Sequence, residues 1–295
     1  MIWSPDAEQP PPADTGGKRG RKPAPISRTA GPSHRAWLEP VRGFLFASGL
    51  TLNDLVDRSG YSKTRISELL RGNGYYPAWE ITFSVIRALG LPAGPMRRLW
   101  TAAAREARKE PGWIAHCIRQ VAAEPEHPPV AHQAFTETMA RAYTDYAQAF
   151  VLTDHRARWV VAETFDLLWL CWSEAATSED IRRYAWRLLR DRVMARADRH
   201  HDGHPDLRAA VFSTTEVRET EPGHLVVLTE LVDLFDAIAR LPYDQMDVAV
   251  LRYLCGMHPD RIPQVLGLSP AICHAIDHHL RAALEDLLRP YSPRE

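Results

Sequence analysis

The sequence predicts an all-α protein, and three observations carry that expectation. Apolar residues recur at spacings of three and four through most of the chain after residue 33. Ser or Thr before these runs and Gly after them supply helix starts and stops. Strand signals are scarce, and the one candidate, "HLVVLTEL", keeps Leu225, Leu228, Leu231, Val232 and Phe235 at helical spacing. With 295 residues, 45% hydrophobic and 25% charged, the chain has room for two or three modest helical units. No internal repeat is evident.

Residues 1–33 carry seven prolines and little apolar periodicity, the composition of a disordered arm. Within it lies "KRGRKPAP", whose Arg19-Gly20-Arg21 resembles an AT-hook core. A flat ribbon of that kind suits a narrow A·T minor groove. A generic basic tail that grips phosphates is the other reading.

Residues 34–110 alternate short helices with turns. "HRAWLEPVRGFLFASG" puts Leu38, Val41, Leu45 and Phe46 on one face and ends at Gly49, although Pro40 suits only a first turn. Thr51 caps "LNDLVDRS", and Ser62 caps "KTRISELLR", which stops at Gly72. A fourth helix spans about Ala78 to Leu89, with Trp79, Phe83, Ile86 and Leu89 as its stripe. A fifth runs from beyond Gly94 toward Pro111. The three prolines of "AAEPEHPPVAH" mark residues 111–131 as a linker. Two helical blocks follow at 132–205 and 225–290, separated by a polar linker at 206–224.

Charge is polarised along the chain. The formal net charge is −1, but it divides into about +2 over residues 1–33, about +5 over 34–110 and about −8 over 111–295. A basic front suits a polyanion, and an acidic back repels one. Cys117, Cys171, Cys255 and Cys273 are too far apart for a disulfide framework or zinc site, which suggests reduced, buried thiols. No signal peptide or long apolar span is read, so the expected location is a reducing cytoplasm, on the nucleoid.

The most informative stretch is "GYSKTRISELLRG". Gly60 permits the positive φ of a tight turn, leaving the second of two short helices free to lie in a major groove. Ile66, Leu69 and Leu70 face inward toward Leu52, Leu55 and Val56. Ser62, Lys63, Thr64 and Ser67 face outward. Lys63 suits guanine O6 and N7, Thr64 suits a base edge or thymine methyl, and Arg65 and Arg71 suit phosphates. Residues 37–89 resemble the XRE-type, phage-repressor-like helix-turn-helix domain. That resemblance implies a five-helix fold and base reading by positions 63, 64, 67 and Glu68. Leu52 stands where the family often has a phosphate-binding Gln, and Val56 where it has a small Ala.

"LPYDQMDVAVLRYLCGMHPDRIPQVLGLSPAICHAIDHHLRAALEDLL" forms a second helix-turn-helix pattern. A long amphipathic helix reaches Tyr253, Gly256 breaks it, and a short helix ends at Leu266. After the Gly267 turn, Ser269 caps a final helix that Pro270 begins. It resembles region 4 of extracytoplasmic-function sigma factors through Leu241-Pro242, Leu251-Arg252-Tyr253, Gly256, Ile262, Leu266-Gly267 and Ser269. Pro263 replaces a family Ala and must fall in an opening turn. The expected reading face carries Ala271, His274, Asp277, His278 and His279 in place of Lys and Arg. Imidazoles beside an Asp grip phosphate poorly at pH 7. The His274/His278 spacing is expected to mark a solvated face, with no metal.

Residues 132–197 resemble region 2 of the same factors. Glu163-Thr164-Phe165 and Leu168-Trp169 match its polymerase-gripping helix, so the resemblance implies RNA polymerase core contacts at Glu163, Phe165 and Trp169. Ala162 replaces the family Gln, and Arg158-Trp159 replaces an acidic pair, reversing charge at that interface. Tyr184, Trp186, Arg187 and Arg190 match the helix that reads the −10 element, where stacking and phosphate pairing would hold a single strand. The plain alternative puts Trp186 and Leu189 in a helix core under an Arg-coated face.

No phosphate loop, H-E-x-x-H or G-x-S-x-G is present, so no enzyme and no cofactor are expected. The expectation is a DNA-binding transcriptional regulator: a repressor-like domain joined to two sigma-like helical domains, the last a second helix-turn-helix. Its partners would be double-stranded DNA and, by resemblance, RNA polymerase core; a homodimer is a further option, and no membrane is involved. Alternatively, the C-terminal module serves dimerisation, partner binding or ligand sensing.

Overall fold

The structure, a computed structural model, describes residues 25–207 and 223–289, with backbone only for 223–230. Arg19-Gly20-Arg21 lies outside the described residues. The described residues form fourteen α-helices and no strand, so the described fold is all-helical. No helix among them is long and apolar enough to cross a membrane.

Six helices make the first unit: α1 (Pro32–Ala47), α2 (Leu52–Ser59), α3 (Lys63–Arg71), α4 (Trp79–Ala88), α5 (Ala93–Glu106) and α6 (Pro111–Arg119). Local chemistry sets their ends as expected. Thr51 and Asp54 close a reciprocal capping box on α2, and Ser62 Oγ accepts from the Arg65 N–H of α3. Gly60 and Gly72 stop α2 and α3 in the left-handed region at φ 74° and 59°. Leu55, Ile66, Leu69 and Leu70 are buried, with Leu52 and Val56 packed beside them.

Three details differ from expectation. Helix α1 begins at Pro32, so Pro40 sits in its interior and one backbone hydrogen bond is forfeited. Phe46 is 61% exposed, and Trp37 takes the core place instead. Helix α6 occupies the start of the stretch expected as a linker, because Ile114 and Cys117 bury an apolar face on the first unit.

The second core is built from α7 (Val130–Val151), α8 (Asp154–Leu170), α9 (Trp172–Thr177) and α10 (Ile181–Met194), then α11 (Gly223–Ala239), α12 (Tyr243–Ala249), α13 (Ile262–Leu266) and α14 (Pro270–Leu288). "HLVVLTEL" is helical, within α11. Past α12 the backbone widens into a π-turn at Val250–Leu254, so the expected long helix continues with altered pitch. Pro263 falls in the opening turn of α13, where its missing N–H costs nothing.

Residues 132–205 and 231–289 share one apolar core, in which Tyr146, Trp186 and Leu189 meet Val250, Leu251, Ile262 and Leu266. Helix α8 serves both cores: Val160, Val161 and Leu168 face the second, and Leu167 and Leu170 face the first.

Candidate nucleic-acid interface

Helix α3 presents one open face. Ser62, Lys63, Thr64, Arg65, Glu68 and Arg71 are exposed and Ser67 is half-buried, while the apolar side of the helix is wholly covered. Among the described residues no carboxylate lies within ion-pair distance of Lys63, Arg65 or Arg71. Arg42 braces the helix from behind, its guanidinium donating to the Leu70 carbonyl at 3.0 Å. A rigid helix with unspent cations is chemically suited to a polyanionic groove.

Two neighbours of α3 escaped the sequence reading. Tyr75 is 94% exposed on the loop after α3, and the Lys109 ammonium lies 5.8 Å from its ring and 5.4 Å from that of Trp113. Together they extend the basic, aromatic surface beyond the helix. The doublet Tyr75-Tyr76 following Gly74 was the available signal, since Tyr76 is buried and its hydroxyl donates to the Trp100 carbonyl. The Ser27 N–H donates to the Arg71 carbonyl at 2.8 Å, so the arm meets the folded unit at the C-terminal end of α3.

The second unit of two helices, α13 and α14, is placed differently. Ser269 caps α14 as expected, and Ala271, His274, His278 and His279 are exposed. Asp277 is not part of that open face: it is buried, accepting from Arg252 at 2.6 Å and Arg281 at 2.7 Å. Its two partners are thereby spent, and residues 270–280 offer no other Lys or Arg. A Cβ on Gly267 would lie 2.2 Å from the Arg183 nitrogen, so this turn is pressed against the backbone of α10. No group of three or more His, Cys, Asp or Glu among the described residues is placed to hold a metal.

No protein-family model matches the chain, and no curated protein matches it. The geometry therefore stands as the ground for function.

Of the four residues expected on a single-strand-reading strip, Trp186 is fully buried and Tyr184 and Arg190 are half-buried; only Arg187 is exposed. Trp186 and Arg190 are drawn inward by Asp247, a fully buried carboxylate of α12. It accepts from Tyr146 Oη at 2.6 Å, Trp186 Nε1 at 2.7 Å and Arg190 at 2.9 Å. Burial holds this carboxyl above the usual carboxylate range despite the Arg190 charge. Arg183 and Arg190 also reach Asp244 at 3.3 and 3.2 Å. The Arg-rich helix thus spends two cations on α12.

Glu163 is likewise buried, and Phe165 and Trp169 are half-buried. Glu163 is 3% exposed and accepts from Arg196 at 2.5 Å; Arg196 also donates to Ser33 Oγ of α1 and lies over the Trp159 ring. Burial lifts the Glu163 carboxyl to about 7, outweighing Arg196 and Arg192. Its second oxygen is buried with no donor, a state costing about 1–3 kcal/mol. Phe165 stacks on Tyr143 at 5.6 Å. Trp169 packs over Gly94 of α5 and beneath the Arg98 guanidinium, which is bonded to Asp166 at 2.5 and 2.8 Å. Burial lifts Asp166 to about 6, against the pull of Arg98. The first unit therefore sits on the face of α8 that the sigma resemblance would assign to polymerase.

Proposed function

We propose that the protein is a DNA-binding transcriptional regulator that reads duplex DNA with α3 as the recognition helix of a repressor-like helix-turn-helix. One observation carries this: an exposed face on which, among the described residues, Lys63, Arg65 and Arg71 have no carboxylate within ion-pair distance, on a helix fixed by its cap, its αL stop and its buried apolar side. Lys63 and Thr64 would contact bases. Arg65, Arg71 and Lys109 would contact phosphates, and the basic arm would add affinity where it leaves the end of α3. The function is binding rather than catalysis.

In the C-terminal half, the sigma-like skeleton serves as a helical module folded onto the reader. The buried Glu163 and the half-buried Trp169 packed against α5, with the Asp247 network closing α10 onto α12, favour a scaffolding or sensing role over promoter melting in this conformation. Polymerase core binding would require α5 to leave α8. Selection of binding sites from random duplexes by the full chain tests the reading. A defined motif whose affinity falls steeply with salt is expected; binding indifferent to sequence sinks it. Pull-down of polymerase core by the intact chain would overturn the scaffold reading of the C-terminal half.

A further inference from the structure

The N-terminal arm is tied to the reading helix before the chain enters α1. Ser27 donates its N–H to the Arg71 carbonyl at 2.8 Å, and the Arg35 guanidinium of α1 donates to the Ser27 and Ala30 carbonyls at 2.8 and 3.1 Å. Ile26 packs on the first core, and Ala30 is buried against Gly72. Arg71 and Gly72 are the last residue and the stop of α3, so the arm departs from the C-terminal end of that helix. Upstream of the tie stands Lys18-Arg19-Gly20-Arg21-Lys22, four cations in five residues. Arg21 is six residues before Ser27 and Arg19 eight, a reach of at most about 20 and 26 Å.

Helix α3, nine residues and about 13 Å long, is close to the width of a major groove, about 12 Å. With its N-terminal turn on the base edges, its Arg71 end lies at one wall of that groove, over the phosphates. The minor grooves on either side are centred about half a helical repeat away, roughly 11 Å from that wall on the near side and roughly 23 Å on the far side. Both arginines cover the first distance with chain to spare, whereas the second leaves Arg21 none.

Given α3 as the duplex reader, on which this inference rests, we propose that Arg19 and Arg21 read an A·T-rich minor groove on one fixed side of the sequence that α3 reads. The tie of Ser27 to Arg71 sets the side and the spacing, with the flank centred about five base pairs from the core. A narrow A·T minor groove is strongly electronegative and lacks the guanine amine, so guanidinium groups insert there. Gly20 has no side chain to hold the backbone off the groove floor. Lys18 and Lys22 meet the phosphates on either side.

Binding-site selection with the full chain tests this, followed by affinities for three duplexes that share the core and carry A·T, inosine·cytosine or G·C pairs in the flank. Inosine lacks the guanine amine, so its pair with cytosine keeps the minor-groove face of A·T and the major-groove face of G·C. One A·T-rich tract on one side of each core is expected, with affinity about tenfold weaker for the G·C flank and restored by inosine. Arg19→Ala/Arg21→Ala should lose the flank preference and keep the core, while Lys18→Ala/Lys22→Ala, equal in charge lost, should keep both. An insertion of about six Gly and Ser residues after Pro23 should let the tract appear at variable spacing. The inference alone is overturned if a core is selected without a flank, if the inosine duplex binds as the G·C one does, or if the insertion leaves the spacing fixed. It is overturned too if the two double variants weaken binding alike, the mark of a tail that grips phosphates only. Selection of no core sequence would overturn the α3 reading itself, and this inference with it.

Discussion

Gly60 and Gly267 occupy equivalent places in two units of helix, turn and helix, yet their surroundings are opposite. Both lie in the left-handed region, at φ 74° and 63°. A Cβ on Gly60 would meet nothing within 4 Å, whereas one on Gly267 would run into the α10 backbone at 2.2 Å. In the helix after Gly60, Lys63, Arg65 and Arg71 have no carboxylate within ion-pair distance among the described residues. In the helix after Gly267, Arg281 is spent on Asp277 and histidines stand on the open face. Two similar backbones thus differ in availability: one is left open by the rest of the chain, and the other is built into it.

The comparison breaks most completely at Asp247, which holds the second unit to α7 and α10. Asp247→Ala strands two buried donors, Tyr146 and Trp186, removes one of the two carboxylates that hold Arg190, and should cost about 3–5 kcal/mol in denaturant unfolding, with Asp247→Asn milder. Gly267→Ala should follow, at more than about 3 kcal/mol, since backbone strain and a backbone clash add. Gly60→Ala carries the strain alone, about 1–2 kcal/mol. Equal melting losses for the two glycine variants would mean that the second turn is not docked.

Acidity sharpens the comparison at the seam between the two cores. Glu163 titrates higher in the folded chain, at about 7, than the ordinary 4.5, so the folded state holds the extra proton. Its contribution is complete below about 4.5 and is lost as pH rises through about 7, a change of about 1–3 kcal/mol. Melting temperature against pH should therefore slope downward across that window, and Glu163→Gln should flatten the slope. An unchanged slope in the variant would place the titrating group elsewhere. At the open unit, Arg71→Ala should weaken all DNA sequences alike and reduce the salt dependence by about one counterion.

Local elements were legible in the sequence because their causes are local. Thr51, Ser62 and Ser269 as caps, Gly60, Gly72 and Gly267 as stops, and the inward Ile66-Leu69-Leu70 stripe are each fixed by neighbours a few residues away. What stayed hidden needed partners far along the chain. Nothing near Trp186 announces Asp247, which lies 61 residues on, and nothing near Glu163 announces its pairing with Arg196, 33 residues on. An Arg-rich helix reads alike whether its cations face water or a distant Asp. Tyr75 was overlooked for the reverse reason, because an aromatic beside a buried Tyr76 looks like core until its 94% exposure is seen.

The most direct test of the contrast is a binding-site selection on random duplex DNA with the intact chain, Lys63→Ala, and the His274→Ala/His278→Ala double variant. Lys63→Ala should relax the motif at one or two base pairs, by about 1–3 kcal/mol each, and the histidine variant should return the parent motif unchanged. A motif untouched by Lys63→Ala but lost with the two histidines would contradict the assignment of the open unit as the reader.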